Sequence, residues 1–272
     1  MQNITTNDQD VQAGKEITFS FGKNWSSFVE VITENDISRA MDDINYWLGS
    51  NGVEGKTVID VGCGSGIHAL AFCRLGAKSV HAFDYDSASV DATRKMHLRY
   101  GSPEHWTTEQ GSVLDSNYVG SLGTFDIVYS WGVLHHTGAM WDAIANCVKL
   151  MAPGGVFWLS LYAKGPRYPK DLALKKKFNA SSPLVKRWML GKRILRRMLS
   201  EAKHGRNPLA WNRPRARGMN EYHDMVDWLG GLPYETASED ELVKFARKNG
   251  LILERIKVQS EGGCSKYVLS RL

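Results

Sequence analysis

No apolar run in this 272-residue chain approaches the roughly 18–20 residues that cross a bilayer. The first 24 residues are polar and lack a basic start followed by an apolar core. No secretory leader is therefore expected, and a cytoplasmic location is. Four cysteines (Cys63, Cys73, Cys147, Cys264) stand apart with no Cys-x-x-Cys pair. That spacing argues against a zinc site or a disulfide framework, and no metal is expected. Internal repeats and low-complexity tracts are missing too. Acid is nearly absent from one stretch: from Lys164 to Arg217 only Asp171 and Glu201 stand against 17 Lys or Arg. This surplus of 15 positive charges inside a chain of net charge +5 leaves −10 for the remainder. So local a basic field suits an anionic partner: a small anionic acceptor, an anionic membrane surface, or RNA.

What is present reads as one α/β domain interrupted late. Thr57–Val61, Ser79–Asp84, Phe125–Ser130 and Val156–Leu161 are short and apolar almost throughout, as strands of a parallel sheet covered on both faces must be. Trp106–Gly111 is a weaker strand candidate. Between them Ile67–Leu75, Ser87–Arg99 and Met140–Met151 have helical spacing, and the alternation predicts a doubly wound sheet. Asp86-Ser87 supplies a helix start, and Pro153-Gly154-Gly155 reads as a stop before the next strand. The pattern breaks after Tyr162, where prolines and one basic helix intervene. It resumes at Ser238 with a helix through Asn249, then strands Leu251–Val258 and Lys266–Ser270. The expected division is an arm or lid at 1–50, helical from Ser26 on, a core at 51–162 and 236–272, and a basic insertion on the substrate side at 163–235.

The chemistry-bearing element is the turn Asp60-Val61-Gly62-Cys63-Gly64-Ser65-Gly66 between the first strand and its helix. Glycines there let backbone approach a ligand closely, with N–H groups presented at a helix start. A dinucleotide fingerprint needs Gly-x-Gly-x-x-Gly, and position 67 is Ile. The second strand ends at Asp84, where a carboxylate can accept both hydroxyls of a ribose, and Tyr85 follows, placed to lie against a purine. The fourth strand runs into Trp131-Gly132-Val133-Leu134-His135-His136. All these elements converge at the carboxyl ends of the strands, where open α/β sheets bind ligands.

Val58-Ile59-Asp60-Val61-Gly62-Cys63-Gly64-Ser65-Gly66, Ala82-Phe83-Asp84-Tyr85-Asp86-Ser87, Phe125-Asp126-Ile127-Val128-Tyr129-Ser130 and Leu150-Met151-Ala152-Pro153-Gly154-Gly155 together resemble the class I S-adenosylmethionine-dependent methyltransferases, over about residues 52–162 and 236–272. The resemblance implies a Rossmann-like seven-stranded sheet, mostly parallel with an antiparallel last strand, and an α-rich insertion between strands 5 and 6. It implies S-adenosylmethionine as cofactor. Asp60, Gly62, Cys63, Gly64 and Gly66 would hold its methionine part, Asp84 and Tyr85 its nucleoside, with Ser112 and Val113 beside the adenine and Ser130 and Trp131 near the methyl group. Ser112 departs from the family's pattern, in which an Asp usually meets the adenine amino group. Arms placed like this one often fold over the cofactor in the family, which makes Asn24 and Trp25 lid candidates.

A hydroxyl acceptor benefits from a general base, and His is the commonest near neutral pH. His135 and His136 are candidates because they follow the fourth strand, and His223 is a third in the insertion. Arg217, Tyr222, Asp224 and Asp227 mix charge and aromatic surface as binding pockets do. The expected activity is methyl transfer to oxygen or nitrogen of a small, anionic or lipid- or glycan-linked acceptor. The alternatives are an RNA methyltransferase gripping phosphates through the insertion, and a non-catalytic cofactor-binding protein.

Overall fold

Within each strand of this chain, neighbouring residues serve opposite cores. Val58, Ile127, Trp158 and Val268 enter one buried cluster, while Ile59, Val128, Phe157 and Leu269 enter the other. That is the period-two geometry of a strand, and it explains why the strands read as continuous apolar runs. A computed structural model describes residues 19, 21–212 and 220–271. Seven strands form a single sheet: β1 Thr57–Val61, β2 Ser79–Asp84, β3 Trp106–Gln110, β4 Phe125–Trp131, β5 Met151–Tyr162, β6 Leu251–Lys257 and β7 Cys264–Arg271. Their order is β3-β2-β1-β4-β5-β7-β6. The first five pair in parallel, and β7 runs antiparallel to both β5 and β6.

One face is covered by α1 (Phe21–Val31), α2 (Glu34–Leu48), α3 (Ile67–Arg74) and α4 (Ser87–Arg99). The other carries α5 (Ser116–Ser121), α6 (Met140–Lys149) and α10 (Glu239–Lys248). Capping follows the side chains available. Asp86 accepts from the Ala88 amide to start α4, and Ser238 with Glu241 closes a capping box on α10. The stretch 163–235 between β5 and α10 holds α7 (Tyr168–Ala180), α8 (Pro183–Lys203) and α9 (Glu221–Gly230), with an apolar cluster of its own built on Phe178, Met189, Leu190, Val226 and Leu229.

The structure corrects three expectations about local conformation and adds a fourth feature. Phe21–Trp25 is helical, because Phe28 and Val29 are buried on the face of α1 that meets α4. Gly22 lets the backbones touch there: a Cβ at that position would lie 2.5 Å from the Ala88 Cβ. Pro153-Gly154-Gly155 does not precede β5 but lies within it, as the irregular start of a strand whose register with β4 shifts between Phe125 and Ile127. The insertion contains three helices rather than one, since Pro169 occupies the first turn of α7, where a missing N–H removes no helical bond. Finally, the apolar face of α8 points outward. Leu184, Trp188, Leu195 and Leu199 are exposed, and the helix buries Met189, Leu190 and Glu201 instead.

Candidate active site

The strand order reverses between β1 and β4, and the loops leaving those two strands flank the crevice. After β1, the backbone N–H groups of Gly62 and Cys63 donate to the Phe83 carbonyl of β2, and that of Gly64 donates to the Asp84 carboxylate at 3.1 Å. Gly62 and Gly64 both have positive φ, +80° and +55°. A Cβ at Gly62 would strike Val133, and one at Gly64 would touch the Trp25 indole at 3.0 Å. Trp25 thus lies against the glycine turn, with the two helices of the arm behind it.

Two carboxylates define the electrostatics here. Asp60 is buried, and one of its oxygens has no hydrogen-bond partner. Desolvation, then the Asp84 charge, pushes its carboxyl up to about 8. Asp84 is held by the Gly64 and Asp86 amides, at 3.1 and 2.9 Å, and burial still raises it to about 6. A buried carboxylate with an orphaned oxygen under a glycine turn suits an ammonium group, and Asp84 at the strand end suits a diol. These are the donors that the methionine and ribose parts of S-adenosylmethionine carry, so the residues fit this cofactor. Tyr85 is 77% exposed beside Asp84. Ser112 makes a local turn, its hydroxyl accepting from the Leu114 amide, and buried Val113 is pinned by Asn146 through its carbonyl.

Other residues singled out from sequence make contacts within the fold. Cys63 accepts a hydrogen bond from Thr93, and burial drives its thiol well above the ordinary range. Buried Ser130 donates to the Val61 carbonyl and stitches β4 to β1. Gly66 stands against Thr93. Asn24 turns away from the glycine turn: its amide donates to the His223 carbonyl at 3.1 Å and to Asp227 at 2.6 Å, strapping α1 to α9. His223 is engaged at both ring nitrogens, with Asn220 at 2.7 Å and Ser27 at 3.4 Å, and burial lowers it to about 4. As the base of a reaction it has no free nitrogen. Tyr222 packs edge-on against His223, Asp224 lines a cleft of the insertion, and Arg217 lies outside the described residues.

The two histidines after β4 differ sharply. His135 is fully buried, and its Nδ1 accepts from the Tyr162 amide at 3.2 Å. An amide can only donate, so the ring proton sits on Nε2, and His135 has no lone pair to offer an acceptor. The mirror arrangement holds for half-buried His136. Its Nδ1 lies 2.6 Å from the Pro233 carbonyl, which can only accept, so Nδ1 carries the proton and Nε2 keeps its lone pair. Burial and then the nearby Lys175 charge lower His136 to about 3, which keeps it neutral. Phe21 packs against its ring at 5.0 Å, and Gly231 leaves the room that Cε1 and Nε2 need. Trp131, at the end of β4, packs on the core beside the Lys266 ammonium.

Lys175 is the residue that sequence reasoning passed over. It is completely buried, donates to the Trp228 carbonyl, and has the rings of Trp228, Tyr234 and Tyr162 at 4.6, 4.6 and 5.2 Å. Burial lowers its ammonium to about 7. Tyr162 in turn packs on His135 at 4.0 Å and on His136 at 5.4 Å. The one signal in the sequence is that Asp171, Lys175 and Phe178, at helical spacing, share the buried face of α7. Among the described residues no group of His, Cys, Asp and Glu is placed to hold a metal, and no helix is long and apolar enough to cross a membrane.

A family described as "Methyltransferase domain" matches residues 59–157. The chain is 34% identical over 120 residues to a ubiquinone biosynthesis O-methyltransferase of Vibrio cholerae, covering 43% of this chain and 47% of that one. It is 49% identical over 61 residues to a ribosomal protein L11 methyltransferase of Photorhabdus laumondii, covering 22% and 21%. The chain thus spans less than half the length of these curated relatives. Among solved structures, magnesium protoporphyrin IX methyltransferase from Synechocystis PCC 6803 with bound SAH superposes over 93% of this chain and 95% of that one, with a TM-score of 0.56 at 16% identity. An O-methyltransferase family protein from Burkholderia thailandensis gives the same TM-score at 15% identity. Sheet order, glycine turn and sequence matches agree: residues 59–157 match a methyltransferase domain, and the chain shares the fold of the S-adenosylmethionine-dependent methyltransferases it resembles.

Proposed function

We propose that the chain methylates a hydroxyl of a small anionic acceptor, with His136 as the base. The observation that carries this reading is the fixed tautomer of His136, whose free Nε2 stands in the loop after β4. S-adenosylmethionine, when bound, supplies an electrophilic methyl group. The chain's own residues do the rest. Asp60 and the glycine turn bind the amino-acid end, Asp84 binds the ribose, and Trp25 covers the turn. Tyr85 lies beside the purine, and Ser112 and Val113 border it. Trp131 walls the methyl pocket. His136 Nε2 takes the proton from the acceptor hydroxyl; burial and Lys175 hold its proton affinity low in the free protein, and the negative charge of a bound anionic acceptor raises it toward what a general base needs. Lys175, caged behind Tyr162, biases this end of the site toward negative charge, which favours a phenol or acid over a cationic amine.

The exposed face of α8 supports a peripheral contact with an anionic bilayer. Its apolar residues Leu184, Trp188, Leu195 and Leu199 are flanked by Arg187, Lys192 and Arg196, the combination that settles into a lipid interface. An RNA surface would have little use for exposed leucines, so the bilayer reading is preferred, and with it a lipid-linked acceptor. The test is a methyl-transfer screen with isotopically labelled cofactor against fractionated metabolites, lipid extract and RNA, read by mass spectrometry. Label in an acidic or lipid-linked phenol supports the proposal; label confined to RNA or to amines refutes it.

A further inference from the structure

A second concavity lies beyond the Lys175 cage. Between α7, α8 and α9 there is a cleft of about 680 Å³, within the roughly 300–1,000 Å³ of small-ligand pockets. Helical spacing brings two ridges of α8 to it, Trp188-Lys192-Arg196 and Met189-Arg193-Arg197, each stepping four residues. Arg167 and Lys177 line it from the α7 side, so six cations face it against two acids, Glu221 and Asp224.

The cations are not equivalent. Arg197 is paired with Glu201 at 3.1 Å and Glu221 at 3.0 Å, and Arg167 with Asp171 at 3.5 Å. Arg193 is different. Its guanidinium lies 4.1 Å from the centre of the Trp228 ring, it is half-buried, and among the described residues no carboxylate reaches it within ion-pair distance. Burial, against the pull of Asp171, lowers its affinity for its proton. Stacking covers one face of a guanidinium and leaves its N–H edge for a forked anion. Trp228 itself is fixed, with its indole N–H donating to the Gly262 carbonyl at 3.0 Å and its own carbonyl taking Lys175. Arg193 and Lys175 both lie against this fixed ring, at 4.1 and 4.6 Å from its centre. Lys192 and Arg196 stand exposed at the rim.

We propose that this cleft is an anion subsite for a phosphate-class group, with Arg193 as its central donor and Lys192 and Arg196 closing on the same anion. A doubly charged group answers an excess of several cations better than one carboxylate does. That the anion is carried by the methyl acceptor rests on the proposed function; the subsite itself does not.

The test is calorimetric titration of inorganic pyrophosphate into the full chain saturated with S-adenosylmethionine, so that the cofactor site is closed to the probe. One site is expected, weakened about tenfold or more in Arg193→Gln/Arg196→Gln, the loss of charge-assisted hydrogen bonds. Cofactor affinity should be unchanged. The rim pair Lys192→Gln/Arg196→Gln, which touches no core, should weaken binding in the same direction and guards against misfolding of the first variant. Vesicles of phosphatidylglycerol and of phosphatidylcholine separate the sources. Displacement of the chain from phosphatidylglycerol by pyrophosphate assigns a lipid headgroup, and pyrophosphate binding without displacement assigns a free phosphorylated molecule. Equal affinity in wild type and both variants overturns the subsite, as does no binding by wild type. So does an RNA oligomer that binds through these arginines while pyrophosphate fails to compete. Intact pyrophosphate binding with no methyl transfer to any acidic acceptor would sink the proposed function and leave the subsite standing.

Discussion

The two sides of the crevice bury opposite kinds of ionisable group. On the β1–β2 side the buried ionisable groups are acids, Asp60 and Asp84, both held above their ordinary range because burial disfavours the carboxylate. On the β4–β5 and insertion side they are bases held below theirs: His135, His136, His223 and Lys175. Burial thus pushes both sets toward their neutral forms. On the proposed reading, the cofactor's ammonium would meet the first side and the acceptor hydroxyl the second. The difference teaches that burial can hold acids protonated on one side of a crevice and bases unprotonated on the other, so that binding a charged ligand moves a proton.

The largest effect that would break this comparison is on His136. His136→Ala should lower turnover about 10²–10⁴-fold while cofactor affinity holds; an unchanged rate removes it from the mechanism. Because burial keeps this histidine near 3 in the free protein, the wild-type pH profile of kcat/KM should show no acid limb near 6.5. Next comes Asp84→Ala, which removes charge-assisted hydrogen bonds worth about 1.5–3 kcal/mol each. Cofactor affinity by calorimetry should fall about tenfold or more, and near-normal binding would overturn the ribose assignment.

Lys175→Met keeps a long apolar stem inside the aromatic cage and deletes the charge. The fold should survive, and KM for an acidic acceptor should rise about tenfold. The sign with pH follows from an ammonium near 7. It is charged below that pH, so wild-type acceptor binding weakens as pH rises through about 7, and the variant's does not. Equal KM profiles would detach Lys175 from the acceptor.

The smallest effect concerns Asp60. Its folded carboxyl lies at about 8 against an ordinary 3.8, so the native state holds the proton more tightly than the unfolded one. Stability of the free protein should therefore decline as pH rises between those two values. A bound ammonium reverses the preference. Cofactor binding at pH 7 should release a fraction of a proton, seen as a buffer-dependent heat, and Asp60→Asn should abolish that release.

Most of the sheet was legible because its signals are local. Nearly unbroken apolar runs mark β1 and β4 and most of β2, and Asp86 and Ser238 mark helix starts. The cofactor side was legible for the same reason, since Asp60, the glycines and Asp84 lie at strand ends only 24 residues apart. The proposed acceptor side was not. Whether His135 or His136 keeps a lone pair depends on Tyr162 and Pro233, and Asn24 takes its meaning from Asp227, 203 residues away. Lys175 sits in a run of three lysines that reads as a solvated face, and only Tyr162, Tyr234 and Trp228, gathered from β5, α9 and the loop after it, make it a buried cation.

By itself, then, the sequence determined the strands, the glycine turn and the acids beneath it, because backbone geometry and side-chain alternation act over a few residues. Tertiary structure alone decided which histidine is free, which face of α8 is exposed, and where the basic charge of the insertion is concentrated. Those outcomes depend on hydrogen bonds and burial between segments far apart in the chain, and no local pattern encodes them.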